Sequence, residues 1–252
     1  MKITDLRVAY GQKDDNLALS LCNLLLEKSP KSILLGCYLA RILFRQGDQD
    51  SAIQEINRVV KEHPWSAEAY FTRGDLYFDL KYFEQAVINY SKAIRLSPGK
   101  YAFYYNRALA LSNQRNFSAA YDDFDQAISL KPDYKKLYMA KGNSLRDWGY
   151  YDNAIMEYDL AIEQNPDYSA AFYNRGIAYL NKEDWDKAIS DFTKAIRIDP
   201  KYKEAYGNRG LAFSHKGDHH TAIENYTKVL DIDPEDYKAY NNRGVDYRCL
   251  GE

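Results

Sequence analysis

Apolar side chains return along this chain in two short stripes separated by a turn, and the pair of stripes recurs every 34 residues. Repeats are framed to start at Ile33, Ala67, Tyr101, Lys135, Ser169, Lys203 and Tyr237. In that frame large side chains fill the fourth place, from Tyr70 and Tyr104 to Tyr240, and the eleventh, from Leu43 and Tyr77 to Tyr247. The eighth place is always small: Ala40, Gly74, Ala108, Gly142, Gly176, Gly210 and Gly244. Places four, eight and eleven share one face of a helix. A second stripe has alanine at every twentieth place (Ala18, Ala52, Ala86, Ala120, Ala154, Ala188, Ala222) and Ile56, Tyr90, Phe124, Tyr158, Phe192 and Tyr226 at the twenty-fourth. The two small columns predict where the helices of a pair cross. Between the stripes, Gly47, Gly149 and Gly217 supply the left-handed residue that ends a helix. All seven prolines, Pro30 through Pro234, fall 34 residues apart and close each repeat. Each repeat is therefore predicted to be helix, tight turn, helix, proline turn.

This spacing and these columns resemble the tetratricopeptide repeat. The run Ala171-Phe172-Tyr173-Asn174-Arg175-Gly176, followed by Ala188, Phe192, Ala195 and Pro200, matches that family's order of aromatic, small, aromatic, alanine, aromatic, alanine and proline. The resemblance implies an all-α fold, a right-handed α-solenoid superhelix of tandem helix-turn-helix repeats. We expect one array over residues 1–252, with a degenerate unit at 1–32, repeats at 33–66, 67–100, 101–134, 135–168, 169–202 and 203–236, and a partial unit at 237–252. A solenoid buries its apolar surface between neighbours, so length counts repeats and not globular domains.

A net charge of −2 lacks the broad positive field that nucleic acid or an anionic membrane favours. The partner class expected is protein or peptide. No apolar run reaches the length of a membrane span, and the opening Met1-Lys2-Ile3-Thr4-Asp5 is too polar for a secretory signal, so a cytoplasmic protein is expected. Cys22, Cys37 and Cys249 form no close pair of metal or redox type, and Cys22 stands in the twenty-fourth column as a small buried hydrophobe. No phosphate cradle, dinucleotide fingerprint, nucleophile elbow or zinc-protease motif occurs. We expect no catalytic residue, metal or cofactor. His215, His219 and His220 beside Asp218 have metal-ligand chemistry, but they straddle the turn at Gly217 and their rings need not converge.

The seventh place carries a cation in Arg73, Arg107, Lys141, Arg175, Arg209 and Arg243, and the twenty-third offers Asn89, Asp123, Glu157, Asp191 and Asn225 as acceptors. This predicts buried guanidinium groups bonded to the second helix, with Arg107, Arg175 and Arg209 as test cases and Asp123 or Asp191 as partners.

In arrays of the family the first helices line the concave face, which implies a binding groove at places two, five, six, nine, twelve and thirteen. Place six gives Asn106, Asn174, Asn208 and Asn242, interrupted by Thr72 and Ala140, with Phe71, Tyr105 and Tyr173 beside it. A primary amide can bracket a peptide bond, or it can brace a neighbouring helix. Arg41 and Arg45 would face an acidic stretch of a partner, and Asp75 with Asp79 a basic one. Asn143 and Asn174 match the two asparagines of the family's carboxylate clamp for chaperone tails, but Met139, Glu204 and Asn208 stand where its cations belong. The expected function is a non-catalytic scaffold binding an extended peptide or helix. The alternative is the substrate-recruiting array of a larger enzyme whose catalytic part lies outside this chain. Tyr240, Gly244 and Tyr247 repeat the interior pattern at the last helix, so either further repeats follow or another molecule covers that face, by self-association for example.

Overall fold

The computed structural model describes residues 2–251 and, among them, fifteen α-helices and no strand. Two compact bodies divide at Lys131 and Pro132. The first holds α1 (Ile3–Gly11), α2 (Asp15–Lys28), α3 (Ile33–Arg45), α4 (Gln49–Glu62), α5 (Ala67–Asp79), α6 (Phe83–Leu96), α7 (Tyr101–Asn113) and α8 (Phe117–Leu130). The second holds α9 (Lys135–Trp148), α10 (Tyr151–Gln164), α11 (Ser169–Asn181), α12 (Trp185–Ile198), α13 (Lys203–His215), α14 (His219–Ile232) and α15 (Tyr237–Leu250). Odd-numbered helices are the first of each repeat and even-numbered ones the second. Within each body every helix packs on its successor, and first helices also touch one another, α3 with α5 and α5 with α7, then α9 with α11, α11 with α13 and α13 with α15. First helices thus form a continuous inner wall, from α3 to α7 in the first body and from α9 to α15 in the second.

The predicted columns are the core. Every alanine of the twentieth place is fully buried, and the twenty-fourth place, from Cys22 to Tyr226, is at most 1% exposed. Burial lifts the thiols of Cys22 and Cys37 to about 11, leaving them protonated and unreactive at neutral pH. The eighth place is small for a sharper reason than helix crossing. A Cβ added at Gly74 would lie 2.6 Å from the Tyr90 ring, at Gly142 2.6 Å from Tyr158, and at Gly176 2.7 Å from Phe192. The twenty-fourth ring packs directly against that backbone and leaves no room for a side chain. A Cβ built at Gly244 would meet no other side chain or helix within 4 Å, and on the same helix Tyr240 is 51% exposed.

The fifteenth place always adopts positive φ, as glycine in Gly47, Gly149, Gly217 and Gly251 and as a side-chain-bearing residue in Lys13, Lys81, Arg115 and Glu183. A Cβ in this region costs about 1–2 kcal/mol. Lys81→Gly and Glu183→Gly should therefore each raise stability, by about 0.5–1 kcal/mol once the looser unfolded chain is counted, as read by urea unfolding. Aspartate and serine caps start several helices, including Asp48 to the Ser51 amide at 3.1 Å and Asp218 to the Thr221 amide at 3.1 Å.

Candidate functional site

The cation column faces away from the inner wall. Arg107 donates from Nε and Nη2 to the two carboxylate oxygens of Asp123, both at 2.7 Å, and Arg175 does the same with Asp191 at 2.7 Å. Arg73 and Arg209 donate from Nε to the amide oxygens of Asn89 and Asn225, at 2.7 and 2.8 Å. Each amide turns its nitrogen onto its own helix, Asn89 to the Gln85 carbonyl and Asn225 to the Thr221 carbonyl, both at 2.7 Å. Lys141 reaches Glu157 at 2.7 Å. Each arginine also holds the second helix of the preceding repeat: Arg73 to Asn57, Arg107 to Ser91, Arg175 to Asp159, Arg209 to Thr193 and Arg243 to Thr227. Their guanidinium carbons stand 5.4 to 5.9 Å from the fourth-place rings, from Tyr70 to Tyr240. Recurrence in six successive repeats, each time with a partner on a second helix, marks this column as structural.

Two grooves open on the inner wall. The first, of about 410 Å³, lies in the first body among Tyr10, Arg41, Phe44, Arg45, Asp75, Phe78, Asp79 and Asn106. Asp75 is its centre: it accepts from Arg41 Nη2 at 3.0 Å, the Tyr90 hydroxyl at 3.0 Å and Asn106 Nδ2 at 2.9 Å. Arg41 and Asp75 are thus one ion pair joining successive repeats, and not two separate attractions for opposite charges on a partner. Arg45 is also spent internally, over the Tyr10 ring at 3.8 Å and bonded to the Tyr10 carbonyl and Asp15. Burial pushes the Asp75 carboxyl up to about 6 despite the Arg41 charge and the Tyr90 and Asn106 hydrogen bonds that oppose it. The folded chain therefore holds this proton more tightly than the unfolded one. Asp75 accordingly favours folding as pH falls from about 6 towards 3.8 and costs stability at neutral pH. Its carboxyl carbon should titrate near pH 6 by NMR, and Arg41→Leu should move that midpoint higher still.

The second groove, of about 340 Å³, lies in the second body among Tyr173, Glu204, Gly207, Asn208, Leu211, Tyr226, Lys238 and Asn242. Asn208 Nδ2 donates to the Tyr173 hydroxyl at 3.0 Å. Asn242, half-buried on α15, makes no hydrogen bond among the described residues. Elsewhere on this wall, Asn174 accepts from Arg146 Nη1 at 3.0 Å and Asn143 accepts from the Tyr158 hydroxyl at 2.9 Å.

Of the residues expected from sequence, Arg41, Arg45, Asp75 and Asn106 meet in one groove, and Tyr173, Asn208 and Asn242 in the other. Phe71 instead packs on Phe103, with ring centres 4.7 Å apart, and Tyr105 packs on Phe124 at 6.3 Å. Phe44 and Phe78 stand at place twelve, Gly207 at five, Leu211 at nine and Lys238 at two, all within the expected binding face although none was singled out, whereas Tyr10 lies in the degenerate first unit and was missed. The signal for Gly207 was present, since it is a lone glycine in the fifth-place column. The histidines diverge: His215 stacks on Trp185 at 4.6 Å, while His219 Nδ1 meets the buried Asp246 at 2.6 Å.

Models of the tetratricopeptide repeat match residues 67–100, 101–134, 169–202 and 204–236, with related repeat models over 38–76 and 142–183. The chain belongs to the tetratricopeptide-repeat family. No curated protein sequence matches it. Among solved structures, the C-terminal part of a repeat protein from Cytophaga hutchinsonii is 17% identical, with TM-score 0.73, covering 96% of this chain and 99% of that one. A repeat protein from Parabacteroides merdae is 18% identical, with TM-score 0.70 and 97% of both chains covered. YrrB, described as a protein of this family with an unusual peptide-binding site, is 23% identical, with TM-score 0.60, covering 75% of this chain and 97% of its own. At these identities the likeness establishes the fold, a solenoid of tetratricopeptide repeats.

Proposed function

We propose that this tetratricopeptide-repeat chain is a non-catalytic interaction scaffold that binds an extended segment, or a helix, of a partner protein along its first helices. The observation that carries the reading is the second groove. Asn208 and Asn242, one repeat apart, flank an opening walled by Tyr173, and the Asn242 amide keeps both its donor and its acceptor for a peptide bond. Family membership supports a protein partner, and the description of YrrB supports a peptide as the form it takes. In this reading the protein works in the cytoplasm, without nucleic acid or membrane. No helix among the described residues is long and apolar enough to cross a membrane. Self-association would use the exposed Tyr237 and Tyr240 of α15.

A peptide selected from a random library against the immobilised chain should lose about 1–3 kcal/mol of affinity when Asn208 and Asn242 both become alanine. The melting temperature should hardly move. Lost stability with intact binding would make the asparagines braces and remove the support for this groove.

A further inference from the structure

Gly207 breaks a pattern that three other repeats keep. The fifth place holds Phe71, Tyr105 and Tyr173, and each ring packs on the twenty-fourth-place ring of its own repeat, at 5.7, 6.3 and 5.9 Å. Tyr226 has no such companion from its own repeat, because Gly207 carries no side chain. A Cβ built there would touch only Val229 Cγ2, at 3.8 Å. The space left is the second groove, about 340 Å³, with Leu211, Val229 and Ala239 as apolar lining.

Two independent observations say what fits it. Tyr90 and Tyr158 donate their hydroxyls to the ninth-place side chains Asp75 and Asn143, at 3.0 and 2.9 Å. Tyr226 finds Leu211 at that place, and its hydroxyl has no hydrogen-bond partner among the described residues although the residue is only 1% exposed. At the rim, Lys203 is neutralised by Asp233 at 2.7 Å and Asp236 at 3.1 Å, whereas Glu204 on α13 and Lys238 on α15 are exposed and unpaired among the described residues.

We infer that the cavity at Gly207 is an anchor pocket for a phenylalanine or tyrosine side chain of an extended peptide, with a basic residue of that peptide over Glu204 and an acidic one over Lys238. The incoming ring replaces the one that sibling repeats carry in cis. Tyr226 offers its hydroxyl to a polar atom of the anchor residue, and Asn208 and Asn242 hold the backbone on either side. This inference rests on the groove reading above.

The test uses bead-bound acetylated nonapeptide pools with a central Phe, Tyr, Leu, Lys, Asp or Gly and random flanks. The Phe and Tyr pools should retain the chain at least about fivefold above the Gly pool, with recovered sequences carrying Lys or Arg on one side and Asp or Glu on the other. Gly207→Phe places the sibling ring in the pocket and should bring retention down to the level of the Gly pool while the melting temperature holds or rises. Should that variant fail to fold, Gly207→Met, with the side chain found at the same place in Met139, gives the same readout. Enrichment centred on a residue that is not aromatic, or unchanged by filling the pocket, overturns the anchor pocket alone. Retention of no pool at all overturns the pocket together with the groove reading.

Discussion

Replacing Arg175 with leucine should cost the fold about 3–5 kcal/mol, because it strands a buried carboxylate. Asp191 is 2% exposed, and both its oxygens accept from Arg175. The leucine would fill the volume and supply none of those bonds. Arg209→Leu is the contrast. Its facing residue, Asn225, is neutral and keeps its own bond to the Thr221 carbonyl, so only an amide oxygen is left unpaired, at about 1–3 kcal/mol. In the pair Arg175→Leu with Asp191→Leu, most of the loss should return, since the other partner, Asp159, has a side chain 45% exposed and can hydrate. Urea unfolding of the three variants checks this. Equal losses at Arg175 and Arg209 would mean that the charge of Asp191 is not what the arginine compensates.

A single methyl group at Gly142 should destabilise the chain by about 1–3 kcal/mol. The added Cβ would sit 2.6 Å from Tyr158 Cε1, and the ring cannot slide away without breaking its hydroxyl bond to Asn143. Alanine is tolerated at the same place in Ala108, where the opposing ring is Phe124 and has no hydroxyl to hold it. Tyr158→Phe in the Gly142→Ala background should accordingly recover part of the loss. Gly244→Ala, with nothing within 4 Å, should instead stabilise by about 0.5–1 kcal/mol through helix propensity alone. Thermal unfolding of the three variants separates overpacking from any general intolerance of the column.

The repeat, its two helices and its buried columns were legible because each residue type recurs at one period, and periodic burial leaves a periodic trace. The bond from Arg107 or Arg175 to the twenty-third place was legible for the same reason. Its backward bond, from Arg175 to Asp159 or Arg209 to Thr193, was not, because the twenty-fifth place varies between Asn57, Ser91, Asp159, Thr193 and Thr227 and shares only the ability to accept. On the inner wall, charge type was readable but pairing was not. Arg41 and Asp75 each look like a binding charge until the packing of α3 on α5 brings them to 3.0 Å. Lys81 and Glu183 were invisible as left-handed residues because neither side chain favours that conformation. Geometry imposed by the repeat overrides their preference.

Partners of this chain are proposed to bind along the first helices. Backbone amide NMR of the chain with a selected peptide tests this most directly. Perturbed amides should concentrate on first helices, above all on α13 and α15 around Gly207, Asn208 and Asn242. Perturbations concentrated instead on the second helices α12 and α14, around Asp191 and Asn225, would contradict it.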